Sequence, residues 1–172
     1  MFKQFEKIFQ PKLSEVYKDV DFEKLGVRLH HSISTVFGRS LAVRELDSGS
    51  DNATEIELVN LTTPYYDIER FGVTFVASPR HADVLIITGA VTHNMEIAVR
   101  KTYEAIPYPK LVVAVGDDAC DGGIWKNTYA VNGGADRVIP VDIKIPGNPP
   151  APHEIMLGLL ALMEYIKKKK KS

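Results

Sequence analysis

Hydrophobic positions along the chain fall into two regimes. In the first, Phe2, Phe5, Ile8 and Phe9 stand at helical spacing, and Pro11 ends that segment. Leu13, Val16, Val20, Leu25, Val27, Leu29, Ile33 and Val36 then predict short helices over 12–36, with Gly26 and Gly38 as breaks. The aromatic face of 2–9 precedes the compact part of the chain and reads as a docking arm in preference to a core-covering helix. From Ser40 the pattern becomes an alternation of strands and helices. Strands are predicted over 41–45, 73–76, 84–88, 111–115 and 137–141. Helices are predicted over 52–61, 94–105 and 153–168. Asp51 or Asn52 caps the first of these helices, with Glu55 completing a capping box, and Pro152 opens the last at a position that tolerates proline. The runs 84–88 and 111–115 are apolar and β-branched throughout, as buried parallel strands are. This succession predicts an α/β domain over 39–172, an open, mainly parallel sheet with helices on both faces, preceded by a helical extension over 1–38.

Composition narrows the setting. A chain of 172 residues with 45% hydrophobic content suits one domain with a real core. A net charge of −1 carries no nucleic-acid footprint. The basic tail 167–171 reads as a solvated helix end whose lysines complement the helix dipole. The sharper alternative is contact with an anionic membrane surface, where each lysine contributes on the order of 1 kcal/mol. No apolar run is long enough for a transmembrane helix, and no apolar stretch follows the charged N-terminus as in a signal peptide. One cysteine excludes an internal disulfide framework. These features fit a cytoplasmic protein peripheral to a membrane complex.

Three stretches interrupt the alternation at the carboxyl ends of strands, where open α/β sheets collect ligands. They are Gly49-Ser50-Asp51-Asn52-Ala53-Thr54-Glu55-Ile56-Glu57, Gly116-Asp117-Asp118-Ala119-Cys120-Asp121-Gly122-Gly123 and Ile145-Pro146-Gly147-Asn148-Pro149-Pro150. They resemble the three cluster-binding loops of a family of small iron–sulfur subunits. That family comprises the 20 kDa subunit of complex I (NADH:quinone oxidoreductase) and its counterparts in energy-converting membrane-bound NiFe hydrogenases. Its pattern runs C-x-x-C, then G-x-C-A, then P-G-C-P-P. Longer strings in the same order carry the resemblance further: Pro64-Tyr65-Tyr66-Asp67-Ile68-Glu69-Arg70-Phe71-Gly72, Ala77-Ser78-Pro79-Arg80-His81-Ala82-Asp83-Val84-Leu85, Thr88-Gly89-Ala90-Val91-Thr92 and Arg137-Val138-Ile139-Pro140-Val141-Asp142. The resemblance covers roughly residues 29–162, and the segment from Leu29-His30-His31-Ser32 to Glu45 is closer to the hydrogenase branch.

The resemblance implies a flavodoxin-like domain that passes electrons through one 4Fe-4S cluster, between a large subunit and a ferredoxin-like subunit of a complex with membrane subunits. The four cluster-cysteine positions, however, carry Asp51, Thr54, Asp118 and Asn148. Iron–sulfur clusters are held by thiolates. Thr54 and Asn148 are poor ligands for iron–sulfide, and carboxylates suit hard cations better. Cys120 lies two residues beyond the family's ligand position. The expectation is therefore a chain without a cofactor, its former cluster site either closed by caps and backbone hydrogen bonds or holding a hard cation. The function expected of such a chain is that of a redox-silent subunit, a docking or assembly paralogue, or a cysteine-less variant, with self-association open to it when isolated.

Further positions have two readings each. The resemblance places Arg80 and His81 near the cluster. Arg80 would stabilise a reduced cluster or clamp a large-subunit carboxylate, or else pair with Asp83 or Asp67 and fix its loop; His81 would couple to proton transfer or simply pack. Arg70 would face the large subunit or pair with Glu69 at a helix end. Glu57 would serve proton transfer or complement the helix dipole. Trp125 and Tyr129 are interface aromatics or core residues. Gly122-Gly123 and Gly133-Gly134 match no phosphate-loop pattern, which counts against a flavin-binding reading. No nucleophile–base set and no metal-ligand spacing stands out, so the chain has no complete catalytic set of its own.

Overall fold

The structure, a computed structural model, describes residues 20–169. The predicted segment 2–9 and the lysines at 170 and 171 lie outside the described residues. Five strands, β1 (Leu41–Asp47), β2 (Val73–Phe75), β3 (Val84–Thr88), β5 (Leu111–Val115) and β7 (Ile143–Ile145), form one sheet. Its order is β2-β1-β3-β5-β7, and every pairing in it is parallel. Counting only these strands, the order is 2-1-3-4-5, that of the flavodoxin-like fold. The short strands β4 (Val91–Thr92) and β6 (Val131–Gly133) pair separately and antiparallel. The helices are α1 (Val20–Phe37), α2 (Ala53–Thr62), α3 (Glu96–Ala105), α4 (Asp117–Asp121) and α5 (Pro152–Lys169).

β3 and β5 are buried at all five positions, as their uninterrupted apolar sequences require. Successive side chains point to opposite faces of a strand. Val84, Ile86, Val113 and Val115 join Leu29, Leu58 and Met156 of α1, α2 and α5 in one core. Leu85, Ile87, Val112 and Ala114 join Val99 of α3 and Ala119 of α4 in the other. Helices therefore cover both faces.

Three sequence expectations need correction. Gly26 does not break a helix, because α1 runs unbroken from Val20 to Phe37. A Cβ at Gly26 would lie 2.4 Å from the Phe71 ring, so the glycine admits that ring against the helix. Gly38 is a true stop, with φ of +67° and its N–H donating to Ser34 O. Residues 137–141 form no strand. Val138 and Ile139 are buried in the second core, but Pro140 has no N–H for a ladder. Pairing with β5 resumes only where Val112 N–H donates to Asp142 Oδ2 and Asp142 N–H donates to Val112 O. Glu55 closes no capping box; both of its carboxylate oxygens are buried and accept no hydrogen bond among the described residues. The start of α2 is held instead by Asp51 Oδ1, which accepts from Ala53 N–H at 3.0 Å. At α5, Pro152 occupies the first turn as expected, and Lys167 Nζ reaches back to Ser32 Oγ of α1 at 3.2 Å.

Candidate functional site

Three loops leave the carboxyl ends of β1, β5 and β7 and meet one another. In the first, Asp47 Oδ1 accepts from the N–H groups of Gly49 and Ser50, both at 2.8 Å. Ser48 is buried and donates its hydroxyl to the carbonyls of Thr88 and Gly89. The chain then turns through Asn52, whose φ is +70°, into α2. Gly89 lies directly on this loop, since a Cβ there would sit 2.4 Å from Ser50 N.

The second loop rests on the first turn of α2. A Cβ at Gly116 would lie 2.7 Å from Thr54 Oγ1, and Thr54 is buried. The second and third loops are clamped reciprocally. Asp117 N–H donates to Gly147 O, and Gly147 N–H donates to Asp117 Oδ1, each at 2.8 Å. Gly116 N–H donates to Ile145 O at 2.9 Å. Asp118 and Asn148 line one cavity of about 740 Å³ beside this junction. Asp51 lies near enough for its charge to act on Asp118. The four positions singled out in the sequence, Asp51, Thr54, Asp118 and Asn148, are thus brought to one place.

The electrostatics there are acidic. Burial, the largest cause, and then the charges of Asp51, Asp117 and Asp121 hold the Asp118 carboxyl above the ordinary aspartate range. A carboxyl raised in the fold keeps its proton to higher pH than in the unfolded chain. Its contribution thus favours folding at low pH and is lost as pH rises toward the folded value. Asp118→Asn is therefore expected to be more stable than the native chain at pH 7, with the gain vanishing below the ordinary value of 3.8. Denaturant titrations of both proteins across that range check it.

Cys120, in α4, is among the residues that line the cavity at Asp118 and Asn148. It is buried, and its Sγ donates to Ala114 O of β5 at 3.6 Å. Burial pushes the thiol up to about 11, so it is protonated at neutral pH. Iodoacetamide at pH 7 is expected to label Cys120 only in denaturant, with at least about tenfold slower alkylation in the folded protein; mass spectrometry of timed samples measures this.

The remaining site residues fall elsewhere. Arg80 and His81 form a single helical turn just before β3, beside the amino end of β1, where Asp83 N–H donates to Ala42 O. Asp51 and Thr54 follow the opposite end of β1, where Asp47 pairs with Thr88. The backbone at Arg80 and His81 thus lies toward the other end of β1 from the loop junction. Asp83 is held by Arg39, with two contacts of 2.8 and 2.6 Å, and Arg80 makes no ion pair with a described residue. Arg70 pairs with Glu23 of α1 in place of its neighbour Glu69, and its guanidinium lies 4.4 Å from the centre of the Phe71 ring. Glu57 Oε2 accepts from Asn60 Nδ2 at 3.2 Å along α2. Trp125 and Tyr129 are 46% and 95% exposed, and Ile124 beside them is 78% exposed, which removes the core reading for these aromatics. The sequence reading missed the clamp at Asp117 and the hydroxyl anchor at Ser48. Their only signal was a polar residue within two positions of a strand's end.

A parallel sheet of flavodoxin-like order whose three carboxyl-end loops are locked into one junction defines an α/β domain of the open, doubly covered class. Residues 52–162 match the family described as NADH ubiquinone oxidoreductase, 20 Kd subunit, and the chain belongs to that family. It is 44% identical over 131 residues to the probable membrane-bound hydrogenase subunit mbhJ of Pyrococcus furiosus, covering 76% of this chain and 78% of that one. It is 40% identical over 131 residues to formate hydrogenlyase subunit 7 of Escherichia coli, covering 76% of this chain and 51% of that one. Among solved structures it is similar to a chain of the membrane-bound sulfane sulfur reductase, an archaeal respiratory membrane complex, with a TM-score of 0.68 and 35% identity over 81% of this chain and 76% of the other. The [NiFeSe] hydrogenase of Desulfovibrio vulgaris Hildenborough shares the fold, with a TM-score of 0.54 over 77% of this chain and 62% of the other.

The side chains at the junction do not fit a 4Fe-4S cluster. The four positions offer oxygen donors, and the only thiol in the chain, that of Cys120, donates to the carbonyl of Ala114.

Proposed function

We propose that the chain is a redox-silent small subunit of a membrane-bound hydrogenase-type or NADH:quinone oxidoreductase-type complex, holding the place of the electron-carrying subunit without its cluster. The observation that carries this reading is the intact loop junction, with Asp117 clamped to Gly147 and Gly116 seated on Thr54, around four positions that have oxygen side chains where the family motif has cysteine. The frame that would seat a cluster persists while the ligands are gone, as fits a body retained for its contacts.

The surface beside the junction supports docking. Ile124, Trp125 and Tyr129 expose apolar area next to the cavity at Asp118 and Asn148. A large subunit of the hydrogenase or respiratory type is the partner proposed for that face, with a ferredoxin-like subunit and membrane subunits completing the complex. No helix among the described residues is long and apolar enough to cross a membrane. The relatives named for membrane-bound complexes support a peripheral position, which we place on the cytoplasmic face.

Affinity purification of the tagged chain from mildly solubilised membranes tests this. Recovery of a stoichiometric large subunit, lost on Trp125→Glu with Tyr129→Glu, is the expected result. A folded chain that returns alone, as a monomer or a concentration-dependent self-associate, would overturn it.

A further inference from the structure

A cavity of about 520 Å³ lies where three segments meet: the end of α1 with Phe37 and Arg39, the turn before β3 with Arg80, His81 and Asp83, and the loop between α3 and β5 with Tyr108. Each segment leads into a strand of the parallel sheet. The cavity therefore lies at the amino ends of β1, β3 and β5, across the domain from the loop junction. Asp83 is the one acid among the described residues that line it, and its carboxylate is fully engaged. Oδ1 accepts from Arg39 Nη2 at 2.6 Å; Oδ2 accepts from Arg39 Nη1 at 2.8 Å and from Ala42 N–H at 3.0 Å. Arg39 is thereby held in place with its side chain still 58% exposed. Arg80 and His81 are exposed, and neither side chain has a hydrogen-bond or ion-pair partner among the described residues.

With Asp83 balanced by Arg39, the charge of Arg80 stands uncompensated on the lining, and a protonated His81 adds to it. A concave wall of low dielectric strengthens such a field over that of the same side chains on a flat surface. The anion's shape follows from the donors. A planar carboxylate is satisfied by a single guanidinium, as Asp83 is by Arg39. A phosphate has oxygens on several sides and takes donors from several directions. Here donors stand on all three segments: Arg39 on the first, Arg80 and His81 on the second, and the Tyr108 hydroxyl on the third. The space is far larger than a phosphate ion and falls in the range of small-molecule sites, about 300–1,000 Å³. Tyr108, 90% exposed, offers a ring face for whatever the phosphate is attached to.

We propose that this cavity binds a phosphate monoester, with the phosphate against Arg39, Arg80 and His81 and the esterified group against Tyr108. The site is separate from the loop junction and the Trp125 face, and it stands or falls independently of the subunit assignment. Two sources carry the same chemistry, a soluble phosphate ester and the headgroup of phosphatidic acid in a membrane.

The test uses the full chain, isotope-labelled, followed by NMR during titration at constant ionic strength with phenyl phosphate, inorganic phosphate and phenylacetate. The expected result is saturable shifts at Arg39, Arg80, His81 and Tyr108 with phenyl phosphate, weaker saturation with inorganic phosphate, and binding of phenylacetate weaker by about tenfold or more. Arg80→Gln should lower the affinity for phenyl phosphate about tenfold or more with no change in melting temperature, because the side chain holds nothing else among the described residues. His81→Gln serves as the second variant should that one fail to fold. Sedimentation with phosphatidylcholine vesicles, with and without phosphatidic acid, assigns the source. Binding only to the vesicles with phosphatidic acid, lost in Arg80→Gln, identifies the lipid; no vesicle binding beside intact phenyl phosphate binding identifies a soluble ester. No saturable binding of phenyl phosphate, or binding indifferent to both variants, overturns the proposal. Phenylacetate bound as tightly as phenyl phosphate overturns it too, in favour of an acidic side chain from an adjoining protein.

Discussion

Asp51→Cys, Thr54→Cys, Asp118→Cys and Asn148→Cys, combined in one protein, are expected to give a chain that binds about four iron and four sulfide on anaerobic reconstitution. The expectation rests on geometry already in place. Thr54 meets Gly116, Asp117 ties the second loop to Gly147, and Asp118 and Asn148 line the same cavity. Side-chain chemistry is the missing part, since hydroxyl, amide and carboxylate oxygens are poor partners for iron–sulfide and thiolates are its ordinary ligands. Asp118→Cys also removes a carboxyl that burial and the neighbouring acids hold above the ordinary aspartate range. Iron and sulfide analysis with a visible spectrum measures the outcome. A folded quadruple variant that takes up no iron would show that the junction is not shaped for a cluster.

Gly89→Val should be among the most damaging single substitutions in the domain, at roughly 3 kcal/mol or more. Two costs combine. The residue has φ of +71°, a conformation β-branched residues strongly resist, and a Cβ would stand 2.4 Å from Ser50 N and 2.6 Å from Ser50 Cα. Those are backbone atoms and cannot move aside as the end of a side chain can. The first loop would be pushed off β3, with loss of the Ser48 hydroxyl contacts to Thr88 and Gly89. Gly38→Ala provides the contrast. Its φ of +67° is similar, but no atom lies within 4 Å of the added Cβ, so conformational strain alone should cost about 1 kcal/mol. Urea denaturation of both variants separates strain from collision. Equal losses would mean that the Gly89 loop has room to yield.

The sheet was legible in the sequence where burial is complete. β3 and β5 were predicted with the bounds the structure gives them, because a continuous apolar run has few other homes. The convergence of Asp51, Thr54, Asp118 and Asn148 was legible through the motifs and the rule that such loops gather at carboxyl ends of strands. What failed depended on partners distant in sequence. Gly26 resembles a helix break until Phe71 is set against it. Asp83 has a nearby arginine in Arg80, yet its partner is Arg39. Val138 and Ile139 have strand-like side chains, and only Pro140 signals that they reach the core without a ladder.

The central claim is that a cluster-holding frame persists here without its cluster. Its most direct test is iron and sulfide analysis of the native chain after anaerobic reconstitution, with the four-cysteine variant treated in parallel. The account predicts no stoichiometric iron or sulfide and no visible band in the native protein, and both in the variant. Near-stoichiometric iron and sulfide in the native chain would contradict it, because oxygen donors at Asp51, Thr54, Asp118 and Asn148 would then be holding a cluster.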